Sequence, residues 1–119
     1  MSEKKYRWFK IFSSEEEMKN NIALRRTYSM QVDGKKICLV HSTDGFYAVR
    51  DKCPHNGYPL SAGYCTEENS IVCPVHRYHF DLKTGRALSG IATRVETFPI
   101  KVAQNGVFLG FEEFNWWPF

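Results

Sequence analysis

Four side chains that can ligate a metal ion fall into two short and similar segments of the chain. The first segment reads Cys53-Pro54-His55 and the second reads Cys73-Pro74-Val75-His76, so each supplies one thiolate and one imidazole. Thiolates and imidazoles are ligands for zinc and for iron–sulfur centres. In both segments a proline directly follows the cysteine and stiffens the backbone beside the ligand. The sequence therefore predicts one metal site, and its ligands are Cys53, His55, Cys73 and His76.

The spacing between the two segments is compatible with a single shared site. Seventeen residues, 56 to 72, separate His55 from Cys73. A connection of this length lets the chain leave the first segment, form a strand pair and return beside it. We therefore expect two loops that meet, about 51–63 and 73–80.

The pattern C-x-H, a spacer of about this length and C-x-x-H resembles the signature of the Rieske family. The resemblance extends through His79-Phe80-Asp81 and Thr84-Gly85 and covers most of the chain, from about Tyr6 to Phe111. It implies a [2Fe–2S] cluster in which the two cysteines bind one iron and the two histidines bind the other. Because two thiolates leave this cluster neutral when oxidised, it accepts an electron more readily than an all-cysteine cluster does.

Four positions near the ligands resemble the low-potential branch of that family. High-potential members carry two further cysteines that bridge the loops, and a serine and a tyrosine whose hydroxyls hydrogen-bond the cluster sulfurs. The residues at these positions here are Tyr58, Val75, Tyr78 and Phe80. The chain is thus similar to ferredoxins of ring-hydroxylating oxygenase systems, to oxygenase cluster domains and to small subunits of nitrite reductase.

Two other interpretations of the four residues stay open at this point. Structural zinc sites also accept two cysteines and two histidines, although C-x-H is tighter than their usual C-x₂₋₄-C spacing. Alternatively, the four residues are unligated structural positions. The remaining cysteines are expected to be buried thiols. Cys38 lies in the apolar run 37–40, which predicts a strand buried on both faces, and Cys65 lies near the cluster loops.

The rest of the sequence is typical of short strands separated by turns. Asp33-Gly34 and Asp44-Gly45 are strong hairpin signals, and Ser14 followed by Glu17 predicts a short helix near 14–20. We predict an all-β, Rieske-like antiparallel sandwich or barrel with a small cluster-binding subdomain made of two loops, in one domain over 1–119. The predicted strands are Tyr6–Phe12, Thr27–Val32, Lys36–His41, Phe46–Arg50, Ser70–Cys73, Tyr78–Phe80, and Thr97–Val102 paired with Val107–Phe111.

The composition excludes several classes of partner. With 43% hydrophobic and 24% charged residues the chain is globular, and its net charge of +3 is too small and dispersed to predict nucleic-acid binding. No run approaches the ~20 apolar residues of a membrane span, and the polar N-terminus has no signal-peptide core. We therefore expect no membrane association and a cytoplasmic location, where thiols stay reduced.

The expected function is that of a soluble one-electron carrier that docks transiently with a reductase and a terminal oxidoreductase such as an oxygenase. No nucleophile–base pair and no catalytic iron domain is recognisable, so the chain is expected not to be an enzyme by itself. The alternatives are a bound small subunit of a larger reductase, of the nitrite reductase type, and a structural zinc module. The expected docking patch at the loop tips comprises Asn56, Tyr58, Pro59, Leu60, Val75 and Arg77, and the aromatic tail 114–119 is expected to close the core.

Overall fold

A computed structural model describes residues 5–88 and 92–113, which contain ten β-strands, one α-helix and one turn of 3₁₀ helix. The expected role of the aromatic tail falls on residues outside this part of the chain. The elements in chain order are β1 (Lys5–Phe12), α1 (Glu15–Asn21), β2 (Thr27–Val32), β3 (Lys35–Ser42), β4 (Gly45–Arg50), the 3₁₀ helix (Leu60–Ala62), β5 (Tyr64–Cys65), β6 (Ser70–Val72), β7 (His79–Asp81), β8 (Thr97–Phe98), β9 (Ile100–Ala103) and β10 (Gly106–Glu113).

The strands of the described residues form three open antiparallel sheets. Their orders are β1-β10-β9, β2-β3-β4-β8 and β5-β6-β7. The predicted all-β antiparallel fold is thus confirmed, and the sheets do not close into a barrel. The third and smallest sheet carries the second metal-binding segment, because that segment connects β6 to β7.

The short helix begins where the sequence predicts it. Ser14 Oγ accepts a hydrogen bond from the Glu17 backbone N–H at 3.0 Å, and Glu17 Oε1 accepts one from the Ser13 N–H at 2.9 Å. These two bonds satisfy backbone donors that the first helical turn leaves unpaired.

No helix among the described residues is long and apolar enough to cross a membrane.

Strand β3 separates two hydrophobic cores. Side chains alternate across a strand, so Ile37 and Leu39 face one core while Cys38 and Val40 face the other. All four are fully buried, as the apolar run in the sequence predicts. The second core also contains both cysteines of the metal-binding segments, and β3 therefore joins the larger sheets to the candidate site.

The prediction of one continuous strand over 97–102 is wrong in one respect. The chain divides at Pro99: β8 pairs with β4, whereas β9 pairs with β10. Proline has no backbone N–H and interrupts a ladder, while its carbonyl still accepts from the Gly110 N–H at 3.0 Å. The pairing of β1 with β10, which joins Lys5 to Glu113, is a long-range contact that the local pattern does not show.

Gly63 allows the end of the first loop to approach β6 closely. A Cβ placed on Gly63 would overlap the backbone carbonyl oxygen of Val72. Val72 pairs with Tyr64 and directly precedes the ligand candidate Cys73. Only a residue without a side chain permits this approach, so Gly63 helps to bring the two predicted loops together.

We predict that Gly63→Ala lowers the free energy of unfolding of the metal-free protein by about 1–3 kcal/mol or more, because the new methyl group must displace backbone. Chemical denaturation followed by circular dichroism measures this loss. The neighbouring Tyr64→Ala is the control, since Tyr64 is 52% exposed and surface changes cost about 0.5 kcal/mol or less. Equal stabilities of the two variants would contradict the close approach.

Candidate metal centre

Both metal-binding segments are loops that close with the same hydrogen bond. In the first loop, 51–63, the Cys53 N–H donates to the Tyr58 carbonyl at 2.7 Å. In the second loop, 73–78, the Cys73 N–H donates to the Tyr78 carbonyl at 2.9 Å. Each cysteine is thus fixed at the base of a loop that closes on a tyrosine. The likeness of the two segments in sequence extends to their backbones.

The loops also share a left-handed residue just before the closing tyrosine. Gly57 has φ 81° in the first loop, and Arg77 has φ 54° in the second. A residue with a Cβ pays about 1–2 kcal/mol for this conformation, which glycine adopts freely. His76 is left-handed as well, with φ 62°. The second loop therefore holds strain at a predicted ligand, a feature that often accompanies functional sites.

The structure places the four predicted ligands in two pairs of like residues. Cys53 and Cys73 are 1% and 0% exposed, and both side chains belong to the second hydrophobic core. His55 and His76 are exposed, and their ring centroids lie 6.4 Å apart with the planes at 82°. The site thus has a buried sulfur end and an exposed nitrogen end.

This pairing fits the donor set of a two-iron cluster. In a [2Fe–2S] centre with mixed ligands, each iron takes two protein ligands and the sulfides supply the rest. Zinc instead gathers four protein ligands around one ion. The observed thiol pair and imidazole pair correspond to the iron–sulfur arrangement.

Tyr78 lies against the two imidazoles. Its ring centroid is 4.4 Å from that of His55, with an interplanar angle of 62°, and 6.2 Å from that of His76. Edge contacts between aromatic rings contribute about 0.5–1.5 kcal/mol. Tyr78 closes the second loop through its backbone and restrains the orientation of His55 through its ring.

Burial raises the pKa of three of the cysteine thiols, one of which is a candidate ligand. Burial raises the pKa of the Cys73 thiol, while hydrogen bonds from the Val75 backbone and the Asn56 side chain oppose this rise. These donors favour the thiolate, which is the form that binds metal. Burial, followed by the negative charge of Asp51, raises the pKa of Cys38 strongly, and burial also raises that of Cys65. Cys38 and Cys65 are buried thiols, as predicted.

Sequence reasoning missed Asp51, a buried carboxylate beside the first loop. Its Oδ1 accepts from the Ser61 N–H at 2.7 Å, and its Oδ2 accepts from Ser61 Oγ at 2.7 Å and Ser29 Oγ at 3.0 Å. Thr27 Oγ1 in turn donates to the Ser61 carbonyl at 2.7 Å. Because a buried carboxylate needs such partners, this network fixes the 3₁₀ helix to β2 and to the end of β4. An acidic residue two positions before Cys53 was the only local signal.

The chain resembles known proteins over most of its length. The family model for the Rieske [2Fe-2S] domain matches residues 7–99. A 3-phenylpropionate/cinnamic acid dioxygenase ferredoxin subunit from Escherichia coli (strain K12) is 32% identical over 87 residues, which cover 71% of this chain and 82% of that protein. The corresponding subunit from Shigella flexneri serotype 5b (strain 8401) shows the same identity and coverage.

Solved structures share the fold at lower identity. The ferredoxin of carbazole 1,9a-dioxygenase from Nocardioides aromaticivorans IC177 has a TM-score of 0.70 at 21% identity, covering 91% of this chain and 97% of that one. A protein from Mycobacterium tuberculosis, assigned as an NADH-dependent nitrite reductase small subunit, has a TM-score of 0.76 at 19% identity, with coverages of 90% and 96%. At these identities the likeness establishes the fold.

We predict that Gly57→Ala weakens metal retention, because the left-handed backbone of the first loop becomes strained. Gly34→Ala is the matched control: Gly34 has φ 80°, and a Cβ at either glycine meets nothing closer than 3.7 Å. Denaturation of the metal-free proteins should show a loss of about 1–2 kcal/mol in both variants. Loss of the bound metal to a chelator should accelerate in Gly57→Ala alone. Equal rates in both variants would show that this loop does not hold the metal.

Proposed function

The chain belongs to the Rieske [2Fe–2S] domain family, and we propose that its cluster is held by Cys53, His55, Cys73 and His76. The observation that supports this assignment is that two buried thiols share one hydrophobic core, while two exposed imidazoles lie 6.4 Å apart on the loops that carry these cysteines. We place both loops and all three sheets in one domain, since β3 contributes side chains to both cores.

The residues around the site suit an electron carrier. When bound, a [2Fe–2S] cluster accepts and releases one electron at a time. The second core, with Leu60, Ile71 and Phe80 fully buried around the cysteines, keeps water from the sulfur end. The exposed histidines leave the nitrogen end open to partner proteins. The sequence relatives are ferredoxin subunits, and the chain is an electron carrier rather than a catalytic subunit.

For the partners, we infer a reductase as donor and a terminal oxygenase as acceptor, because the relatives are subunits of dioxygenases. The proposed docking patch lies at the loop tips and consists of Asn56, Tyr58, Pro59, Val75 and Arg77. The expectation that Leu60 contributes is wrong, since its side chain is fully buried. A patch with one cation and several apolar groups suits a small, transient interface.

A cytoplasmic location suits four cysteines that are all free thiols.

A bound small subunit of a nitrite reductase is the second candidate. Its only support here is a likeness of fold: the Mycobacterium tuberculosis protein has a TM-score of 0.76 at 19% identity. The dioxygenase ferredoxin subunits are related at 32% identity. The carrier is therefore the better supported of the two functions.

The ligand assignment predicts that His55→Ala and Cys73→Ser abolish assembly of the cluster. Wild-type protein reconstituted anaerobically should contain about two irons and two sulfides per chain. The matched controls are His41→Gln and Cys65→Ala, which should keep that content. His41 Nδ1 donates to the Ile22 carbonyl at 2.8 Å, outside both loops. Elemental analysis and visible absorption measure the outcome, and a protein that retains one zinc and no sulfide would contradict the proposal.

The docking patch predicts that Arg77→Glu slows reduction by the cognate reductase about tenfold at low salt and weakens its salt dependence. The physical reason is loss of attraction between the cation at the loop tip and an acidic partner surface. Lys19→Glu makes the same charge change on α1, which packs against β1 and β10, and should have little effect. Stopped-flow kinetics give the rates, and equal slowing by both variants would place docking elsewhere.

A further inference from the structure

One polar side chain links the two loops at a sulfur atom. Asn56 belongs to the first loop, and its Nδ2 lies 3.8 Å from Cys73 Sγ in the second loop. We propose that the Asn56 side-chain amide donates a hydrogen bond to Cys73 Sγ and thereby raises the reduction potential of the centre. This inference rests on the proposed role of Cys73 as a ligand.

The orientation of the amide follows from its other contact. The Tyr58 backbone N–H donates to Asn56 Oδ1 at 2.9 Å. Only an oxygen can accept this bond, so the side-chain NH₂ group is the part of the amide that remains for the sulfur. The same backbone segment that closes the first loop on Cys53 therefore aims a donor at the second loop.

The protonation state of the sulfur decides the direction of the contact. A free thiol can also donate to Asn56 Oδ1, and the two atoms lie 3.9 Å apart. A metal-bound thiolate has lost its proton and can only accept. In the ligated protein, the contact that remains is therefore Asn56 Nδ2–H to Cys73 Sγ.

A donor at this sulfur stabilises the reduced state more than the oxidised state. Reduction adds one negative charge, and part of it resides on the sulfur ligands. An N–H group pointing at a ligand sulfur interacts more strongly as that charge grows, and hydrogen bonds to the sulfurs are among the determinants of cluster potential. Cys73 is fully buried, so little water reaches the sulfur, although Asn56 itself is exposed.

Three variants distinguish a hydrogen bond from Asn56 to Cys73 from a general effect of charge and from a role of Asn56 in closing the loop. Asn56→Asp keeps an oxygen for the Tyr58 N–H but removes the donor and adds one negative charge. Lys52→Gln is the charge control, because it makes the same change of one unit at an exposed residue of the same loop. Asn56→Leu removes donor and acceptor together without changing the charge. The reduction potential of each reconstituted protein is measured by voltammetry, and the stability of each metal-free protein by denaturation.

Both Asn56 variants should have lower potentials than the wild type. At a fixed applied potential, the ratio of reduced to oxidised Asn56→Leu should fall about tenfold, which for one electron equals about 59 mV. The reduction potential of Asn56→Asp should fall further than that of Lys52→Gln, and the metal-free Asn56→Asp protein should be as stable as the wild type. Asn56→Leu should lose stability, because the Tyr58 N–H loses its acceptor.

Two results would overturn the inference. One is a wild-type potential in Asn56→Leu, and the other is a shift in Asn56→Asp no larger than that of the charge control. Either result would reduce Asn56 to a loop-closing residue. Both are read from proteins that contain a full cluster, whereas failure of the ligand assignment appears as a Cys73→Ser protein that still assembles one.

Discussion

The antiparallel pairing of β5 with β6 is the constraint on which the site depends. It places the end of the first loop beside the strand that leads into the second, so that two cysteines separated along the chain reach the same buried position. The pairing requires Gly63 beside the Val72 carbonyl, and it continues through Cys65 opposite Ile71. Without this sheet the chain would contain two ligand pairs but no common site.

The sulfur end and the nitrogen end of the site differ in burial. The cysteines project into the core that β3, the 3₁₀ helix and β6 enclose, and the histidines lie at the surface of the loops. Hydrophobic packing thus fixes the sulfur end, whereas the nitrogen end is restrained mainly by the loop backbones and by the ring of Tyr78. Such a gradient from a rigid interior to an exposed tip lets a partner approach the site without disturbing the core.

Local sequence patterns predicted those features that local interactions determine. The helix cap at Ser14, the hairpin turn at Asp33-Gly34 and the doubly buried β3 each depend on neighbours in sequence, and all are present. The family spacing likewise predicted four ligands, and the structure places the two cysteines in one core and the two histidine rings 6.4 Å apart. The division at Pro99 and the carboxylate network of Asp51 depend on contacts between distant segments. Ser61 and Ser29 acquire a role only once β2 and the first loop are adjacent.

At the four positions where high-potential members carry bridging cysteines and sulfur-bonding hydroxyls, this chain has Tyr58, Val75, Tyr78 and Phe80. Hydrogen bonds to the cysteine sulfurs must therefore come from other groups. Phe80 is fully buried and serves packing, and the ring of Tyr78 contacts His55. Val75 stands where a bridging cysteine would be, and its backbone hydrogen bond favours the Cys73 thiolate. Asn56 supplies a second donor from its side-chain amide. Both donors depend on loop geometry that Gly57 and the strained Arg77 maintain. The loop backbone therefore positions the ligands and also sets the electrostatic environment of the sulfur that it holds.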